Sequence, residues 1–422
     1  MSASLPEEAS LEAEARAEPT GLRRTFSALY YRDFRILWFG AFTSTTGTFM
    51  QTFAQAWLVY TMTNSAFLLG VDGFLSTGPM LIFSLFGGVI ADRVERKKIM
   101  LLSQYLQMSF AIILALLIFT HQIQVWHIFV LSFLTGSIQS FSGPAYASLL
   151  PLLVRREDVP NAVAMNSMQF NLARVIGPAL GGIVFALWGP AACFTINGLS
   201  FVAVIVAYSV ISIPPVHERK RETGILEEMR EGFRFVISRR SLLQLTFLAF
   251  VGTFLGMPLF TMLPVVAKKV FGLGAQGLSL FQADYGVGSV LGAVFVASSS
   301  YAAKKGKIAL LMQLLFAFCL VFFGLSRNLT SSVIIAFVAG ACIVGVVSLY
   351  SSLVQLMTTD AMRGRVMSIF MLAFRGGMPL GNLVAGYVAQ RWSISLALAV
   401  NGAVLATIAL IFILKGTDLD AA

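Results

Sequence analysis

Four ionisable residues lie inside long apolar stretches of the chain: Asp72, Arg174, Asp284 and Arg375. A charge at the centre of a membrane helix costs roughly 2.5–3.5 kcal/mol on insertion scales, so such residues usually face a cavity or a partner. The two aspartates could exchange protons if one conformation removes water from them. Alternatively, they lie close enough to the membrane surface to stay solvated, or they hydrogen-bond to neighbouring helices.

The two arginines stay charged at all accessible pH values, so neither can carry a proton. Arg174 and Arg375 could attract an anionic substrate or control the protonation of a carboxylate. A fixed link from one helix to the next, through backbone carbonyls, is the alternative.

Composition places these residues in an integral membrane protein. Apolar residues make up 57% of the 422 and charged residues 12%, and the mean hydropathy is +0.81, far from the balance of soluble domains. The opening residues 1–20 are glutamate-rich and hold no apolar run, so we expect a disordered acidic tail and no signal peptide. The net charge of +10 does not indicate nucleic-acid binding, because the positive residues lie between apolar runs, as orientation signals do.

Apolar runs of about 20 residues predict twelve transmembrane helices. The predicted spans are 34–60, 66–91, 99–120, 126–151, 162–187, 190–213, 241–267, 276–301, 307–326, 331–356, 365–389 and 393–414. The expected organisation is an N-terminal tail (1–33), a six-helix bundle (34–213), a linker with an amphipathic segment (214–240), a second six-helix bundle (241–414) and a C-terminal tail (415–422). Lys and Arg concentrate in alternate loops, which places both termini in the cytoplasm.

The two halves carry matching residues in the same order, which indicates an internal repeat in parallel orientation. Arg174-x-x-x-Pro178 in span 5 matches Arg375-x-x-x-Pro379 in span 11. Gly136 and Tyr146-Ala-Ser-Leu of span 4 match Gly340 and Tyr350-Ser-Ser-Leu of span 10. Asp72 of span 2 matches Asp284 of span 8, so all four ionisable residues within the predicted spans belong to repeat pairs.

A charged loop between spans 2 and 3 has the pattern Gly88-x-x-x-Asp92-Arg93-x-Glu95-Arg96-Lys97. It resembles the Gly-x-x-x-Asp-Arg-x-Gly-Arg-Lys loop of major facilitator superfamily transporters, with Glu95 in place of the second Gly. The segments 150–162 and 363–370 look like the superfamily group that contains the enterobactin exporter and related secretion transporters. The resemblance covers nearly the whole chain.

Span 5 is similar to the antiporter signature of the superfamily. Its small and bend-forming residues are Gly177, Pro178, Gly181 and Gly182, with Ala164 and Ala173 in place of two glycines. Small residues let helices approach closely, and proline permits a bend. Generic small-residue packing is the alternative explanation.

The resemblance implies a secondary active transporter that works by alternating access in the bacterial inner (plasma) membrane. It implies efflux of a small organic molecule, siderophore-like or drug-like, coupled to protons as an antiporter. Span 4 lacks the arginine that proton-coupled drug exporters of the superfamily carry there. The alternatives are transport of a lipid or a metal ion by the same fold, or a membrane receptor or scaffold that transports nothing.

In this superfamily helices 1, 4, 7 and 10 line the substrate cavity, and three of these spans carry polar stripes at helical spacing. The predicted cavity residues are Ser44, Thr48, Gln51, Gln55, Thr135, Gln139, Tyr146, Tyr350 and Gln355. Uncharged amides and hydroxyls suit a polar but largely hydrophobic ligand. Hydrogen bonds between helices are the alternative use of the same residues.

The charged loop is the expected cytoplasmic gate. Asp92 would meet the free amides at the start of span 11 near Arg365, which stabilises a carboxylate by about 0.3–1 kcal/mol. Gly88 would let the helices approach, and the resemblance implies that Arg93 and Arg96 complete the charge network. Alternatively, these residues serve only as topology signals.

Enzymatic activity is not expected, because no catalytic set of side chains lies within the spans. Cys193, Cys319 and Cys342 lie in separate runs without metal-ligand spacing, and the three histidines are scattered. We therefore expect no cofactor and no metal site. The expected partners are a small-molecule substrate, protons and the lipid bilayer, and the expected state is a monomer.

Overall fold

The computed structural model describes residues 26–83, 95–212, 225–298 and 305–415. Twelve helices in these residues overlap the twelve predicted spans. They are α1 (Arg32–Thr63), α2 (Ala66–Phe83), α3 (Arg96–Phe119), α4 (Val125–Leu149), α5 (159–188), α6 (190–210), α7 (Arg240–Thr261), α8 (Ala275–Ser298), α9 (Lys305–Leu325), α10 (Leu329–Leu356), α11 (Asp360–Arg391) and α12 (Ile394–Leu414). The linker helix, Ile225–Ser238, precedes α7. The predicted acidic tail and the predicted gate residues Gly88, Asp92 and Arg93 lie outside the described residues.

The helices α5 and α6 form one helical stretch, Val159–Val210, which is divided at Gly189. Gly189 has φ 76° and ψ −178°, a backbone conformation that residues with a Cβ rarely adopt. A single glycine therefore reverses the chain where a longer loop would otherwise be needed.

Nine of the described helical stretches are long and apolar enough to cross a membrane, and Val159–Val210 falls within one of them. The helices α1 and α4 are not among the nine. Both carry the predicted polar stripes, and many of their hydroxyl groups donate to backbone carbonyls of their own helix, as those of Thr46 and Ser140 do. The twelve helices as a set are consistent with twelve crossings.

Neighbouring helices run in opposite directions between two ends of the molecule. We call the end that holds Arg32 and Leu414 the proximal end, and the opposite end the distal end. Within each half, a glycine brings equivalent helices together: a Cβ on Gly136 of α4 would overlap the carbonyl oxygen of Ser76 on α2. A Cβ on Gly340 of α10 would likewise overlap the carbonyl oxygen of Tyr285 on α8. The structure thus repeats the α2–α4 contact in the α8–α10 pair.

The two bundles meet through the pairs α2–α11 and α5–α8. At the distal end of the first pair, the backbone N–H of Ala66 donates to Gln390 Oε1 at 2.8 Å. In the second pair, the hydroxyl of Ser279 donates to the carbonyl oxygen of Pro178 at 2.8 Å. A third contact crosses the bundles in the distal loops, where Lys268 Nζ lies 3.0 Å from Asn64 Oδ1.

Apolar packing joins the bundles at one end only. In the distal half, one buried cluster combines residues of both bundles, including Phe53 and Tyr60 of α1 with Leu259 and Met262 from the α7 region. At the proximal end, the N-terminal and C-terminal bundles each have a separate cluster. The described molecule is therefore closed at its distal end, and its bundles pack independently at the proximal end.

Short polar contacts order the proximal end of the N-terminal bundle. The hydroxyls of Ser27 and Tyr31 donate to the two carboxylate oxygens of Asp158, each at 2.6 Å, and the N–H of Ala28 donates to Asn161 Oδ1 at 2.9 Å. These hydroxyl donors lower the pKa of Asp158 below its usual value. The segment before α1 is thus held on the α4–α5 connection by a carboxylate that stays ionised at neutral pH.

Close packing within the C-terminal bundle generates a first prediction. Gly381 of α11 lies against α7, where a Cβ would overlap the carbonyl oxygen of Phe254. We expect Gly381→Ala to lower the free energy of unfolding by about 1–3 kcal/mol, because the rigid α7 backbone must shift. Thermal unfolding of the purified protein in detergent measures the effect.

Gly364 provides a matched control on the same helix, because no atom of the described residues, apart from its neighbours and the backbone of its own helix, lies within 4 Å of the position that its Cβ would occupy. We expect Gly364→Ala to be neutral or to stabilise by up to about 1 kcal/mol, since alanine favours a helix. Equal melting temperatures for the two variants would contradict the steric argument.

Candidate functional site

A buried carboxylate lies at the junction of α1, α2 and α4. The hydroxyl of Ser132 donates to Asp72 Oδ1 at 2.6 Å, and the amide of Gln55 donates to both carboxylate oxygens at 3.0 and 3.1 Å. Gln55 Nε2 also lies 2.9 Å from Ser132 Oγ. Three helices thus contribute one side chain each to a closed hydrogen-bond network, which we call the Asp72 network.

The Asp72 network is shielded from water and from cations. Asp72 is 7% exposed, and Ser132 is equally buried. Its position six residues into α2 places it roughly 9 Å from the distal end of that helix. The ion pairs formed by the described residues, such as Arg365 with Glu231, all lie near the proximal end. Hydrogen bonds alone therefore satisfy this carboxylate.

The equivalent aspartate of the second half has a different environment. Asp284 Oδ2 is buried without a hydrogen-bond partner among the described residues. In the first half, Ser132 lies one helical turn before Gly136; in the second half, Ala336 occupies the same place before Gly340. The loss of this hydroxyl leaves the second carboxylate without the donor that the first one has.

The two arginines lie apart from the aspartates. The guanidinium of Arg174 lies over the rings of Phe170 and Phe49, at 5.0 and 6.0 Å from their centroids. The guanidinium of Arg375 reaches from α11 to Met80 Sδ on α2 at 3.3 Å. Each arginine therefore spans two helices, and Arg375 spans the two bundles.

Four of the predicted cavity residues hydrogen-bond to another helix of their own bundle. Gln51 Oε1 accepts from Asn197 of α6 at 2.6 Å. Gln139 reaches Gln107 of α3 at 3.5 Å. The remaining pairs are Tyr146 with Asn166 at 2.7 Å, and Tyr350 with Gln313. These are contacts between helices, and a fifth predicted cavity residue, Gln55, belongs to the Asp72 network.

The other predicted cavity residues have fewer partners. Ser44 is buried, and Thr48 donates to the carbonyl oxygen of Ser44 in its own helix at 2.9 Å. Thr135 is half-buried, and Gln355 is exposed with its amide 3.4 Å from Ser351 Oγ. Thr48, Thr135 and Gln355 are therefore the members of the set that are at least partly exposed and make no hydrogen bond to another helix of the described residues.

The small residues of α5 bring it close to two helices. A Cβ on Gly177 would lie 2.8 Å from the carbonyl oxygen of Thr46, and one on Gly181 would lie 2.8 Å from the ring of Phe53, both on α1. Gly182 faces Ser279 of α8, whose hydroxyl binds the Pro178 carbonyl. The motif thus packs α5 between its own bundle and the opposite one.

The described members of the predicted gate are not in contact with each other. Arg96 Nη1 donates to the carbonyl oxygen of Ser148 at the end of α4, at 3.2 Å. Arg365 forms an ion pair with Glu231 of the linker helix. Each arginine binds within its own half, at the proximal end where the bundles pack independently.

Sequence reasoning missed Asn382 and Ser132. Asn382 of α11 is 0% exposed, and neither of its amide atoms has a hydrogen-bond partner among the described residues. A Cβ on Gly70 would overlap the backbone carbonyl oxygen of Asn382, and a Cβ on Gly73 would lie 2.7 Å from its amide nitrogen. Both glycines lie on α2, within two residues of Asp72. A search for every polar residue in the apolar spans, instead of only the ionisable ones, would have found Asn382. The spacing of one turn before Gly136 was the available signal for Ser132.

The described residues contain no group of three or more His, Cys, Asp or Glu side chains that could hold a metal ion. The three cysteines are free and buried in separate helices. The arrangement offers hydrogen-bonding and proton-binding groups inside a two-bundle membrane protein.

The sequence matches the family model of transmembrane secretion effectors over residues 23–420. It is 22% identical to macrolide efflux protein A of Streptococcus pyogenes over 385 residues, which cover 90% of this chain and 94% of that protein. It is 25% identical to the enterobactin exporter EntS of Shigella boydii over 326 residues, 77% of each chain.

The fold is also that of a solved transporter. A bacterial homolog to the human lysosomal transporter Spinster, in an inward-facing and occupied conformation, superposes with a TM-score of 0.72 at 13% identity, covering 92% of this chain and 98% of that one. The match over almost the entire length and the paired six-helix bundles lead to one conclusion. The chain belongs to the transmembrane secretion effector family of major facilitator transporters.

Proposed function

We propose that this protein exports a small organic molecule, siderophore-like or drug-like, from a bacterial cytoplasm by proton-coupled alternating access. The observation that carries the proposal is the closure of the two bundles at the distal end only. Two bundles that are joined at one end and independent at the other fit a transporter caught in one of two states. The names of the relatives, a macrolide efflux protein and an enterobactin exporter, support the cargo class.

The distribution of Lys and Arg supports an assignment of the proximal and distal ends to the two sides of the membrane. Lys and Arg concentrate in the loops at the proximal end, so this end faces the cytoplasm and both termini are cytoplasmic, in the inner membrane. The closed distal end is then the outer end, and the conformation is inward-facing. An exporter binds its cargo in this state, through residues such as Thr48, Thr135 and Gln355.

The separated gate residues agree with an inward-facing state. When the cytoplasmic ends close, Arg96 and Arg365 approach, and Gly88, Asp92 and Arg93 complete the inner gate. The ion pair between Arg365 and Glu231 then breaks, and Arg365 pairs with Asp92 of the opposite half. The linker helix would hold Arg365 only while the inner side is open.

Asp72 is the proposed proton site. It lies next to Gly73, which contacts Asn382 across the α2–α11 pair that closes the outer side. Separation of this pair would admit water close to the Asp72 network. A carboxylate whose solvation differs between two conformations binds a proton differently in each, which couples the proton to the movement. Asp284 is the second candidate.

Removal of the Asp72 charge should uncouple transport from the proton gradient. We expect Asp72→Asn to reduce gradient-driven uptake of a radiolabelled macrolide into inside-out proteoliposomes by about tenfold or more, because the group that binds and releases the proton is lost. Substrate exchange without a gradient should continue, since the amide oxygen still accepts from Ser132, and a flip of the Gln55 amide lets its oxygen accept from the new NH2 group. Enterobactin serves as a second probe of cargo class.

Ser132→Ala is the matched control, because it removes a donor to Asp72 and keeps the carboxylate. We expect this variant to retain coupled transport with a changed pH profile. Gradient-driven transport that survives in the Asp72→Asn/Asp284→Asn double variant would rule out both aspartates as proton sites. Failure of wild-type protein to move any solute would count against the transporter itself.

The unpartnered amide of Asn382 should set the balance between the two states. A buried polar group without a partner costs about 1–3 kcal/mol, and separation of α2 from α11 would hydrate it. Leucine has the same branched outline and no polar atom. We expect Asn382→Leu to raise the outer-closed population about 5-fold or more relative to the open one and to slow turnover. Spin-label distances between Gln122, in the α3–α4 loop, and Thr330, in the first turn of α10, measure the populations, since both lie exposed at the distal end.

Asn197→Leu is the control for Asn382→Leu. Asn197 is 2% exposed, but its amide donates to Gln51 inside the N-terminal bundle. We expect this variant to lower thermal stability and to leave the distance distribution unchanged. A broader or unchanged distribution in Asn382→Leu would refute the proposed effect of its amide.

A further inference from the structure

The linker helix presents one face to the C-terminal bundle. Gly232 lies against the backbone of α11, where a Cβ would lie 2.9 Å from the carbonyl oxygen of Arg365. Val236 is buried in the proximal cluster of the C-terminal bundle, and Phe235 packs against it. The ion pair between Glu231 and Arg365 adds a polar contact beside this apolar one. The helix is therefore fixed to the first turns of α11.

The other face of the linker helix combines apolar and basic side chains. Phe233 and Ile237 lie one turn apart and are 55% and 51% exposed. Arg230 and Arg234 also lie one turn apart, on the adjacent stripe, and both are exposed. Glu227 is the exposed acidic residue at the start of this face. Two guanidinium groups thus lie beside two large apolar side chains that the protein leaves uncovered.

Arg239 does not belong to this face. Its guanidinium lies 4.4 Å from the ring centroid of Phe235, and it donates to the carbonyl oxygen of Met357 at 3.4 Å. These contacts fix the junction between the linker helix and α7. The basic residues that remain free to meet an outside partner on the helix are Arg230 and Arg234.

The position of the helix indicates the chemistry of its partner. It lies at the proximal end, where α11 begins, and therefore at the level of a membrane surface. Helices with adjacent apolar and basic stripes bind the boundary between headgroups and acyl chains. A guanidinium binds phosphate oxygens in a bidentate geometry, and each basic residue near an anionic surface contributes attraction. Charge and shape together fit an anionic phospholipid.

We propose that the exposed face of the linker helix binds the phosphate headgroup of an anionic phospholipid in the cytoplasmic leaflet. Arg230 and Arg234 bind the headgroup phosphate, and Phe233 and Ile237 lie among the upper acyl carbons. Since the helix is fixed to α11 through Arg365, the bound lipid also anchors the start of α11. The proposal uses the cytoplasmic orientation of the proximal end and does not depend on the identity of the cargo.

Native mass spectrometry of the full chain in detergent tests the proposal, with dioleoyl phosphatidylglycerol and dioleoyl phosphatidylcholine as probes. We expect the wild-type chain to prefer phosphatidylglycerol. Arg230→Gln/Arg234→Gln should lower the affinity for phosphatidylglycerol roughly 30-fold and abolish the preference, because two basic contacts are lost. Arg155→Gln/Arg156→Gln removes two exposed arginines from the α4–α5 connection and should leave the preference intact.

Two further measurements separate the apolar part of the proposed contact from its charged part. Phe233→Ser/Ile237→Ser should weaken the binding of both lipids and keep the preference for phosphatidylglycerol. Inorganic phosphate alone should not stabilise the chain against heat, since the acyl contacts are missing. Unchanged phosphatidylglycerol binding by Arg230→Gln/Arg234→Gln would overturn the proposal. So would stabilisation of the chain against heat by inorganic phosphate that equals the stabilisation by phosphatidylglycerol. A dimer that the same variant abolishes would assign this face to self-association instead.

Discussion

The contact between the two bundles at the distal end is the interaction on which the rest of the structure depends. There, α2 meets α11 at Gly70 and Gly73, and α5 meets α8 at Gly182. Lipid tails are as apolar as leucine, so helices in a membrane associate mainly through close packing and a few hydrogen bonds. Glycine permits that packing because it removes the side chain that would hold the backbones apart. A joint of this kind can separate at the cost of few hydrogen bonds, and the amide of Asn382, buried within it, already lacks a partner among the described residues while the joint is closed.

The two halves share their backbone arrangement and differ in the chemistry of their buried acids. Gly136 and Gly340 make the same helix contact in the two bundles, yet Asp72 has Ser132 and Gln55 as donors whereas Asp284 has one oxygen without a partner. A duplicated fold constrains the backbone and leaves side chains free to diverge. One half can therefore keep a buried carboxylate whose oxygens have side-chain donors, while the other half tolerates a carboxylate oxygen without a donor.

Local signals in the sequence were sufficient to predict the helices and the two bundles. The length of an apolar run, the charge of a loop, and a glycine or proline at a helix end can each be recognised from a few neighbouring residues. The site was harder to predict. Gln55 and Asp72 were expected to have separate roles, and only the rotation of α1 against α2 and α4 brings them together with Ser132. That rotation depends on packing between distant segments. The partner of Arg365 was missed for the same reason, since Glu231 lies in a different element and at a large distance along the chain.

The single glycine at position 189 has a mechanical consequence. Because one residue joins α5 to α6, the connection cannot lengthen, and the distance between the adjoining ends of the two helices is fixed. Asn197 ties α6 to Gln51 of α1, and Gly177 and Gly181 seat α5 on the same helix. The helices α1, α5 and α6 therefore form one rigid unit. A displacement at the contact between α5 and α8 would rotate all three helices together instead of bending any one of them.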